Sequence, residues 1–208
     1  PLPLRLRAAV VIAILAAAFV SADRLTMLAE DQLYSNDIVY AKQSAYQRIV
    51  VTRGDSGFQL FLDGNLQFAS HDEYRYHEAL VHPAFAAADG ARDVLVLGGG
   101  DGLAVREILK YDAVRAVTLV DLDPSMTELG RRFPLLQQLN EGALSQPRVR
   151  VINDDAMRYL AEQPSERRWD VVIVDFPDPN NFSLGKLYTT RFYRLARAHL
   201  APGGALVV

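Results

Sequence analysis

The longest apolar stretch of the chain lies near its N-terminus. Residues 8–22 are uninterrupted small and apolar side chains, preceded by Arg5 and Arg7, and 25–33 continues with a helical pattern. A bilayer span needs about 20 residues, so the run is short for one. The pattern alone fits a signal peptide, the end of a transmembrane helix and a buried helix equally well. We take residues 1–33 as one apolar helical segment.

The spacing of apolar and polar positions changes after residue 33 and predicts a small β-domain over residues 34–70. Short segments rich in β-branched and aromatic side chains alternate with turn residues, and Asp63-Gly64-Asn65 joins the last two as in a hairpin. The spacing then becomes helical over 71–87. The strands of this domain are expected at 37–41, 47–52, 58–62 and 66–68.

From residue 93 onward, short continuous apolar runs alternate with helical segments. Runs of this kind are typical of strands that are buried on both faces of a parallel sheet. The alternation predicts an α/β fold over 71–208, a Rossmann-like doubly wound parallel sheet. Strands are expected at 94–97, 116–120, 149–152, 171–174 and 205–208, helices at 102–110, 124–132, 155–162 and 187–200, and a surface loop at 137–147.

The composition excludes several classes of function. The 208 residues carry a net charge of −3 and include no cysteine. A disulfide framework, a thiolate zinc site and a cysteine nucleophile are therefore excluded. The mildly acidic balance argues against a nucleic-acid binder, which would normally show a basic stripe. The chain begins at Pro1 and ends at Val208 in what reads as a strand being entered, so we expect a C-terminally truncated fragment.

A glycine-rich loop follows the first strand of the predicted parallel sheet. It reads Gly98-Gly99-Gly100-Asp101-Gly102 and leads into a helix. Glycines allow the backbone to approach a ligand closely and direct amides at it, although a tight strand-to-helix turn needs them too. The next strand ends at Asp121, 23 residues after Gly98, where a carboxylate can hold the ribose hydroxyls of a nucleoside. The pair predicts a nucleotide or S-adenosyl ligand.

Further acidic residues end the third and fourth strands of this sheet. Asp154 and Asp155 follow the third strand, where a carboxylate can meet the adenine amine. Asp175 and Asp178 follow the fourth, in a rigid turn that contains proline. Open α/β sheets bind ligands at the carboxyl ends of their strands. An acidic residue in such a place also serves as a helix N-cap, an interpretation that stays open for Asp154 in particular.

The charge of the glycine loop separates two classes of S-adenosyl enzyme. A methyltransferase must hold the donor's carboxylate near this loop, where Asp101 would repel it. A decarboxylated donor presents only an ammonium and a sulfonium, which Asp101 would attract. Asp175 and Asp178 would likewise suit a diamine. The residues therefore favour a cationic donor and a cationic acceptor.

Taken together, these motifs resemble the spermidine synthase family of polyamine aminopropyltransferases. The resemblance implies a fold like that of the S-adenosylmethionine-dependent methyltransferases, and transfer of an aminopropyl group from decarboxylated S-adenosylmethionine to putrescine, giving spermidine and methylthioadenosine. The donor is a co-substrate, and neither a cofactor nor a metal is implied. The resemblance covers about residues 35–208 and rests on Asp72-Glu73-Tyr74-Arg75-Tyr76-His77-Glu78, the glycine loop, Asp121-Leu122-Asp123, Asp154-Asp155 and Asp175-x-x-Asp178-Pro179, in the family's order and spacing.

The resemblance also implies a role for each matching residue. Asp175 would be the catalytic carboxylate, and Asp178 would help to hold the amine substrate. Asp101 would bind the aminopropyl ammonium, and Tyr76 and His77 would line the polyamine channel. The residues implied in nucleoside binding are Gln47, Gly98, Gly100, Asp121, Asp155 and Ala156.

Some positions depart from the usual family pattern in the manner of a bacterial subgroup with membrane helices ahead of the synthase domain. They include Phe176-Pro177 between the two aspartates and Asp121 where glutamate is usual. On that resemblance, residues 8–22 would end the last transmembrane helix, and the protein would lie in the bacterial inner membrane with its catalytic domain in the cytoplasm. Without a span, a cytoplasmic protein is expected. Homodimers are common in the family.

Two other functions remain open from the sequence. One is an S-adenosylmethionine-dependent methyltransferase, because the same fold serves both reactions. The other is a non-catalytic membrane protein that binds a polyamine or a nucleoside. Small-molecule substrates, and no nucleic acid, are expected as partners in the favoured interpretation.

Overall fold

The computed structural model describes residues 3–21, 33–179 and 182–208, so the helix expected at 25–33 falls outside it apart from Leu33. Helix α1 (Leu4–Val20) has 17 residues, and none of its side chains is buried. Of the helices in these described ranges, none has both the length and the apolar character needed to cross a membrane. The prediction that residues 8–22 end a transmembrane helix is therefore not supported, because α1 is short for a span and carries Arg5 and Arg7.

The second part of the fold is a four-stranded antiparallel sheet in the order β1-β2-β3-β4. The predicted hairpin at 63–65 joins its last two strands, and Asp63 and Gly64 adopt positive φ angles of 50° and 77° in the turn. One face packs Ile49 and Leu60 against helices of the second sheet through Leu103 and Met126. The strands are β1 (Asp37–Gln43), β2 (Arg48–Gly54), β3 (Gly57–Leu62) and β4 (Asn65–Ala69). The boundaries of a separate β-domain stay a prediction.

The third part is a five-stranded parallel sheet, which confirms the predicted fold class. Its strand order is β7-β6-β5-β8-β9, so β5 lies at the centre between β6 and β8. Alternate residues of β5 serve two cores, Val94 and Val96 on one face and Leu95 and Leu97 on the other. The strands are β5 (Asp93–Gly98), β6 (Ala116–Asp121), β7 (Val149–Asn153), β8 (Trp169–Asp175) and β9 (Leu200–Val207). The switch from β6 to β8 on either side of β5 marks the crevice where such sheets bind ligands.

Helices cover both faces of this sheet. Their order along the chain alternates with the strands, as the sequence pattern predicted. They are α2 (Tyr74–Ala87), α3 (Leu103–Leu109), α4 (Pro124–Arg132), α5 (Pro134–Leu139), α6 (Ala156–Glu162), α7 (Phe182–Gly185) and α8 (Thr190–Ala198), with 3-10 turns at Ala143–Ser145 and Lys186–Tyr188.

Two predicted segments differ from the structure. The expected surface loop at 137–147 contains the end of α5 and a 3-10 turn, and it buries Asn140, Ala143 and Leu144. The expected helix at 187–200 begins later, because the Thr189 side chain accepts a hydrogen bond from the Phe192 amide at 3.3 Å and caps α8. Its C-terminal end passes into β9 at Leu200.

Candidate active site

The glycine loop after β5 is shaped by the carboxylate at the end of the neighbouring strand. Gly98 and Gly99 have φ angles of 86° and 66°, which side chains rarely adopt. A Cβ atom on Gly98 would lie 2.0 Å from the Asp175 carbonyl oxygen, and one on Gly99 would lie 2.8 Å from Asp175 Oδ2. The Gly99 amide donates to the same carbonyl at 3.1 Å. The first two glycines therefore make room for Asp175.

Gly100 makes room for the Asp121 carboxylate at the end of β6, as Gly98 and Gly99 do for Asp175. A Cβ atom on Gly100 would lie 2.6 Å from Asp121 Oδ2, and the Gly100 amide donates to that oxygen at 3.0 Å. The other oxygen of Asp121 accepts from the Asp123 amide at 2.8 Å. Burial raises the pKa of Asp121 to about 7, and the negative charges of Asp101 and Asp123 also raise it. The hydrogen bonds from the Asp123 and Gly100 amides lower the pKa but do not outweigh burial. Glycine at 100 thus leaves room for an anchored carboxylate at the carboxyl end of β6, the edge at which such sheets bind ligands.

Residues 137–147, which the sequence predicted as a surface loop, contact the glycine loop through the side chain of Asn140. Asn140 is 0% exposed, and its side-chain amide donates to the Asp101 carbonyl and to the Gly130 carbonyl, both at 2.7 Å. A Cβ atom on Gly130 would lie 2.6 Å from the Gly100 carbonyl oxygen. Helices α4 and α5 therefore fix the loop through close backbone contacts.

Asp175 has one satisfied and one unsatisfied carboxylate oxygen. The Tyr76 hydroxyl donates to Oδ1 at 2.9 Å. Oδ2 is buried, and no hydrogen bond reaches it from the parts of the chain that the structure describes. Burial and the nearby charge of Asp101 raise the pKa of Asp175 to about 6, while His77 and the Tyr76 hydrogen bond act in the opposite direction. Burial and Asp175 raise the pKa of Tyr76, so that hydroxyl stays a donor.

Three of the predicted residues meet in one cluster. Single side-chain atoms of His77, Asp101 and Asp175, each an imidazole nitrogen or a carboxylate oxygen, lie within 4.8 Å of one another. Asp101 Oδ1 accepts from the Leu103 amide at 2.8 Å, which holds that side chain over the start of α3. Two carboxylates and one imidazole therefore face one another in a small space.

The predicted adenine side of the site is built on the start of α6. Asp155 caps this helix, since Oδ1 accepts from the amides of Met157 and Arg158 at 2.9 and 3.1 Å. Its other oxygen accepts from Lys186 Nζ at 2.5 Å. Burial raises the pKa of Asp155, but Lys186 and the two amides outweigh burial and lower it. Ala156 is buried as the first residue of the helix. The N-cap interpretation left open for Asp154 thus applies to Asp155.

Gln47 reaches the same edge of the sheet from the antiparallel sheet. Its side-chain amide donates to Asp123 Oδ2 at 3.1 Å, and the Ser44 hydroxyl donates to that oxygen at 2.6 Å. Asp123 is 2% exposed and caps α4 through the Ser125 amide. Gln47 is therefore held by the buried carboxylate of Asp123, whose backbone amide in turn donates to Asp121.

Asp178 is exposed at the outer side of the loop after β8. Its charge acts on Tyr188, whose pKa is raised first by burial and then by Asp178. The Tyr188 hydroxyl donates to the Pro177 carbonyl at 2.9 Å and so fixes the turn between the two aspartates. Asp178 is not among the three residues whose side-chain atoms meet in the cluster.

The sequence did not single out four residues that shape this site. They are Glu73, which hydrogen-bonds His77, Asp123, which holds Gln47, Lys186, which pairs with Asp155, and Asn140, which holds the glycine loop. Glu73 had a sequence signal, since it precedes His77 by four residues on one helix face. Lys186 and Asn140 had none, because their contacts depend on how distant segments pack.

The chain is similar in sequence to a known family and to several curated relatives. The family described as "Spermine/spermidine synthase domain" matches residues 73–208. Polyamine aminopropyltransferase 2 of Ralstonia nicotianae (strain ATCC BAA-1114 / GMI1000) is 55% identical over 202 residues, which are 97% of this chain and 39% of that protein. Polyamine aminopropyltransferase of Leptospira interrogans serogroup Icterohaemorrhagiae serovar copenhageni (strain Fiocruz L1-130) is 52% identical over 205 residues, which are 99% of this chain and 41% of that protein.

Solved structures of spermidine synthases share the fold. One, in complex with the transition state analogue AdoDATO, has a TM-score of 0.73 at 32% identity and covers 79% of this chain and 55% of its own. Spermidine synthase from Thermotoga maritima has a TM-score of 0.73 at 31% identity and covers 82% of this chain and 56% of its own.

The chain spans about two fifths of the length of the curated relatives that it matches. Within that span, the family match extends over more than half of the chain, and the residues of the cluster lie in it. The chain belongs to the spermine/spermidine synthase family.

Proposed function

We propose that the chain carries the core of a polyamine aminopropyltransferase, which transfers an aminopropyl group from decarboxylated S-adenosylmethionine to putrescine. The observation that carries the proposal is the Oδ2 atom of Asp175, which is buried and unsatisfied among the described residues while Tyr76 occupies Oδ1. A buried carboxylate oxygen without a donor is costly unless a ligand supplies one. The amine of the acceptor would supply that hydrogen bond.

The proposed step needs a base rather than a metal. An alkyl amine has a pKa of about 10 and is protonated at neutral pH, so its lone pair is unavailable until a proton leaves. Asp175, whose pKa is raised to about 6, would accept or relay that proton. The nitrogen lone pair then forms the C–N bond to the carbon beside the sulfonium. The C–S bond breaks with its electron pair going to sulfur, which leaves methylthioadenosine as a neutral thioether.

The charge of the cluster supports a decarboxylated donor. Asp101 lies in the glycine loop and shares the cluster with Asp175 and His77, all within 4.8 Å. An ammonium would be attracted to Asp101, whereas the carboxylate of S-adenosylmethionine would enter a space that already holds two carboxylates. Asp101 would therefore bind the aminopropyl ammonium, and Tyr76, His77 and Asp178 would hold the acceptor.

The nucleoside would lie along the edge formed by β5, β6 and β7. Asp121 is anchored by the Gly100 and Asp123 amides, which orients it for the ribose. Asp155 at the start of α6 would accept from the adenine amine once Lys186 releases Oδ2. Gln47, Gly98 and Ala156 line the same edge in this proposal. The names of the relatives, polyamine aminopropyltransferase and spermidine synthase, support this assignment over a methyltransferase.

Donor discrimination tests the proposal in the full-length protein. Calorimetric titration with decarboxylated S-adenosylmethionine and with S-adenosylmethionine should show a preference for the decarboxylated form of about tenfold or more, which corresponds to about 1.4 kcal/mol. Asp101→Asn should narrow this preference, because it removes the charge that distinguishes the two donors. Equal affinity, or tighter binding of the carboxylated form, would sink the proposal.

Membrane attachment and dimerisation stay predictions from the resemblance. What supports attachment is that the apolar side chains of α1 are exposed along the helix, as Ile12, Leu15 and Phe19 are. Fractionation of the full-length protein and light scattering of its purified form would test the two predictions separately. If the full-length protein stays in the supernatant after the membranes are sedimented, the prediction of membrane attachment is wrong.

A further inference from the structure

A buried acidic side chain lies directly behind His77. Glu73 is 5% exposed and His77 is 3% exposed. The Nδ1 atom of His77 lies 2.8 Å from Glu73 Oε2 and 2.9 Å from the Glu73 carbonyl oxygen. A carboxylate and a carbonyl can only accept hydrogen bonds, so Nδ1 carries the proton in both the neutral and the cationic ring. Nε2 is the nitrogen left for Asp101 and Asp175.

Glu73 is itself held as a carboxylate by an arginine from α3. Arg106 contacts both of its oxygens, Nη1 to Oε1 at 2.8 Å and Nη2 to Oε2 at 3.1 Å. The same guanidinium donates to the Leu139 carbonyl and to Glu107 Oε1, each at 2.9 Å, and is 8% exposed. Burial raises the pKa of Glu73, but His77 and Arg106 outweigh it and lower the pKa. A two-point contact of this kind fixes geometry as well as charge.

Charged groups from three elements face His77. Glu73 directly precedes the helix of His77 and Tyr76 lies within it, Asp101 comes from the glycine loop and Asp175 from the end of β8. Burial lowers the pKa of His77, but the Glu73 hydrogen bond and the charges of Asp101 and Asp175 outweigh it and raise the pKa to about 9. These groups therefore favour the cationic form of His77 at neutral pH.

We propose that Glu73 is a positioning residue for the transfer reaction proposed above: it acts through His77, keeping the proton on Nδ1 and Nε2 directed at Asp101 and Asp175. The cationic ring lies beside the catalytic carboxylate and favours its ionised form. Glu73 touches neither substrate in this account. The inference rests on the proposed function for its effect on rate, while its effect on the imidazole is independent of any substrate.

The direction of the effect follows from the charges. With Glu73→Gln, the neutral amide no longer stabilises the imidazolium, so the pKa of His77 falls from about 9 toward its ordinary value of 6.5 or below. At pH 7 to 8 the ring is then neutral, and Asp175 loses the cation that lowers its pKa. The pKa of Asp175 rises, so the acidic limb of the kcat/KM profile moves to higher pH by about one unit.

Nuclear magnetic resonance of labelled histidine in the full-length protein tests the first half directly. The chain contains four histidines, and the signal lost in His77→Gln identifies the one concerned. The wild-type protein should show His77 protonated on Nδ1 and titrating near pH 9, which needs no variant at Glu73 to fold. A titration near pH 6.5, or a neutral ring protonated on Nε2, would overturn the proposal.

Glu107→Gln is the matched control for Glu73→Gln. Glu107 is also buried and also accepts from Arg106, at 2.9 Å, but its other oxygen faces Lys110 and His82 rather than His77. Both variants leave Arg106 with a neutral partner. Only Glu73→Gln should lower the pKa of His77 and move the acidic limb. An equal shift in Glu107→Gln would show a general effect of charge on the fold and would overturn the proposal.

A double-mutant cycle separates this inference from the proposed function. In the His77→Gln background, Glu73→Gln should cause no further movement of the acidic limb, because Glu73 acts only through the ring. A second, equal shift would contradict that route. The proposed function fails if the wild-type full-length protein transfers no aminopropyl group, whereas the inference fails if transfer occurs and the His77 titration is unchanged in Glu73→Gln.

Discussion

A Cβ atom on Gly99 would lie 2.8 Å from Oδ2 of Asp175, the carboxylate oxygen to which the proposed mechanism assigns proton transfer. Glycine at this position therefore leaves room for the Asp175 side chain. The same holds for Gly100, whose Cβ would lie 2.6 Å from Asp121 Oδ2. The glycine loop therefore packs against two carboxylates, and side chains at its first three positions would collide with Asp175 or Asp121.

Replacement of Gly99 by alanine should reduce kcat/KM by more than the strain of its positive φ angle explains. Gly142 provides a matched control, because it has the same φ of 66° and no described atom lies within 4 Å of the Cβ that alanine would add. Gly142→Ala should lower the free energy of unfolding by about 1–2 kcal/mol and leave kcat/KM nearly unchanged. Gly99→Ala should lower it similarly or more and also displace Asp175. Denaturant unfolding and steady-state rates measure both, and equal rates in the two variants would contradict the account.

Replacement of Asp175 by asparagine should nearly abolish transfer. The amide cannot accept the amine proton, so kcat should fall by roughly 10² to 10⁴, the usual contribution of a general base. Binding of methylthioadenosine should change little, because Asp121, Asp155 and Gln47 lie on the other side of the glycine loop. Calorimetry of the variant checks that half of the prediction. Normal turnover would remove Asp175 from the mechanism.

Removal of the Tyr76 hydroxyl should shift the pH profile in a defined direction. Its hydrogen bond to Oδ1 lowers the pKa of Asp175, so Tyr76→Phe should raise that pKa above about 6. Less of the carboxylate is then ionised at a given pH below the new value, and the acidic limb of kcat/KM should move up by about one pH unit. Tyr74→Phe, a change at an exposed ring on the same helix, should leave the limb in place. A downward shift in Tyr76→Phe would contradict the assignment.

Lys186 should compete with the nucleoside for Asp155. Its ammonium lies 2.5 Å from Oδ2, the oxygen that would accept from the adenine amine. Lys186→Met should therefore tighten binding of methylthioadenosine by a few fold, since about 1.4 kcal/mol corresponds to tenfold and an exposed pair contributes less. Arg158→Met is the control, because Arg158 pairs with the neighbouring Asp154 instead. Weaker binding in Lys186→Met would indicate that the lysine contacts the nucleoside directly.

The alternation of apolar runs was enough to predict the parallel sheet, because strands buried on both faces leave little freedom in their composition. The ends of those strands then predicted Asp121 and Asp175, since the topology brings all carboxyl ends to one edge. Pattern could not predict α5, whose six residues are too few for periodicity, and hence it missed Asn140. It also assigned the glycines to ligand approach, which stays a prediction, and it did not foresee that two carboxylates lie against Gly98, Gly99 and Gly100.

The resemblance to a family drew attention to Tyr76 and His77, which the pattern alone did not, and the roles that it implies for them stay predictions. The structure brings both to Asp175, one through a hydrogen bond at 2.9 Å and the other within the cluster. The prediction of a transmembrane end at 8–22 rested on the same resemblance and is not supported by a helix of 17 residues. A short apolar run does not determine its surroundings, because burial depends on what packs against it.

The central claim is tested most directly by identifying which chemical group, aminopropyl or methyl, is transferred to the acceptor amine. Full-length protein would be incubated with putrescine and either decarboxylated S-adenosylmethionine or S-adenosylmethionine, and the products identified by mass spectrometry. The account predicts spermidine and methylthioadenosine from the decarboxylated donor, and no methylated putrescine from the other. Methylated amine with S-adenosylhomocysteine, or no product from the decarboxylated donor, would contradict it.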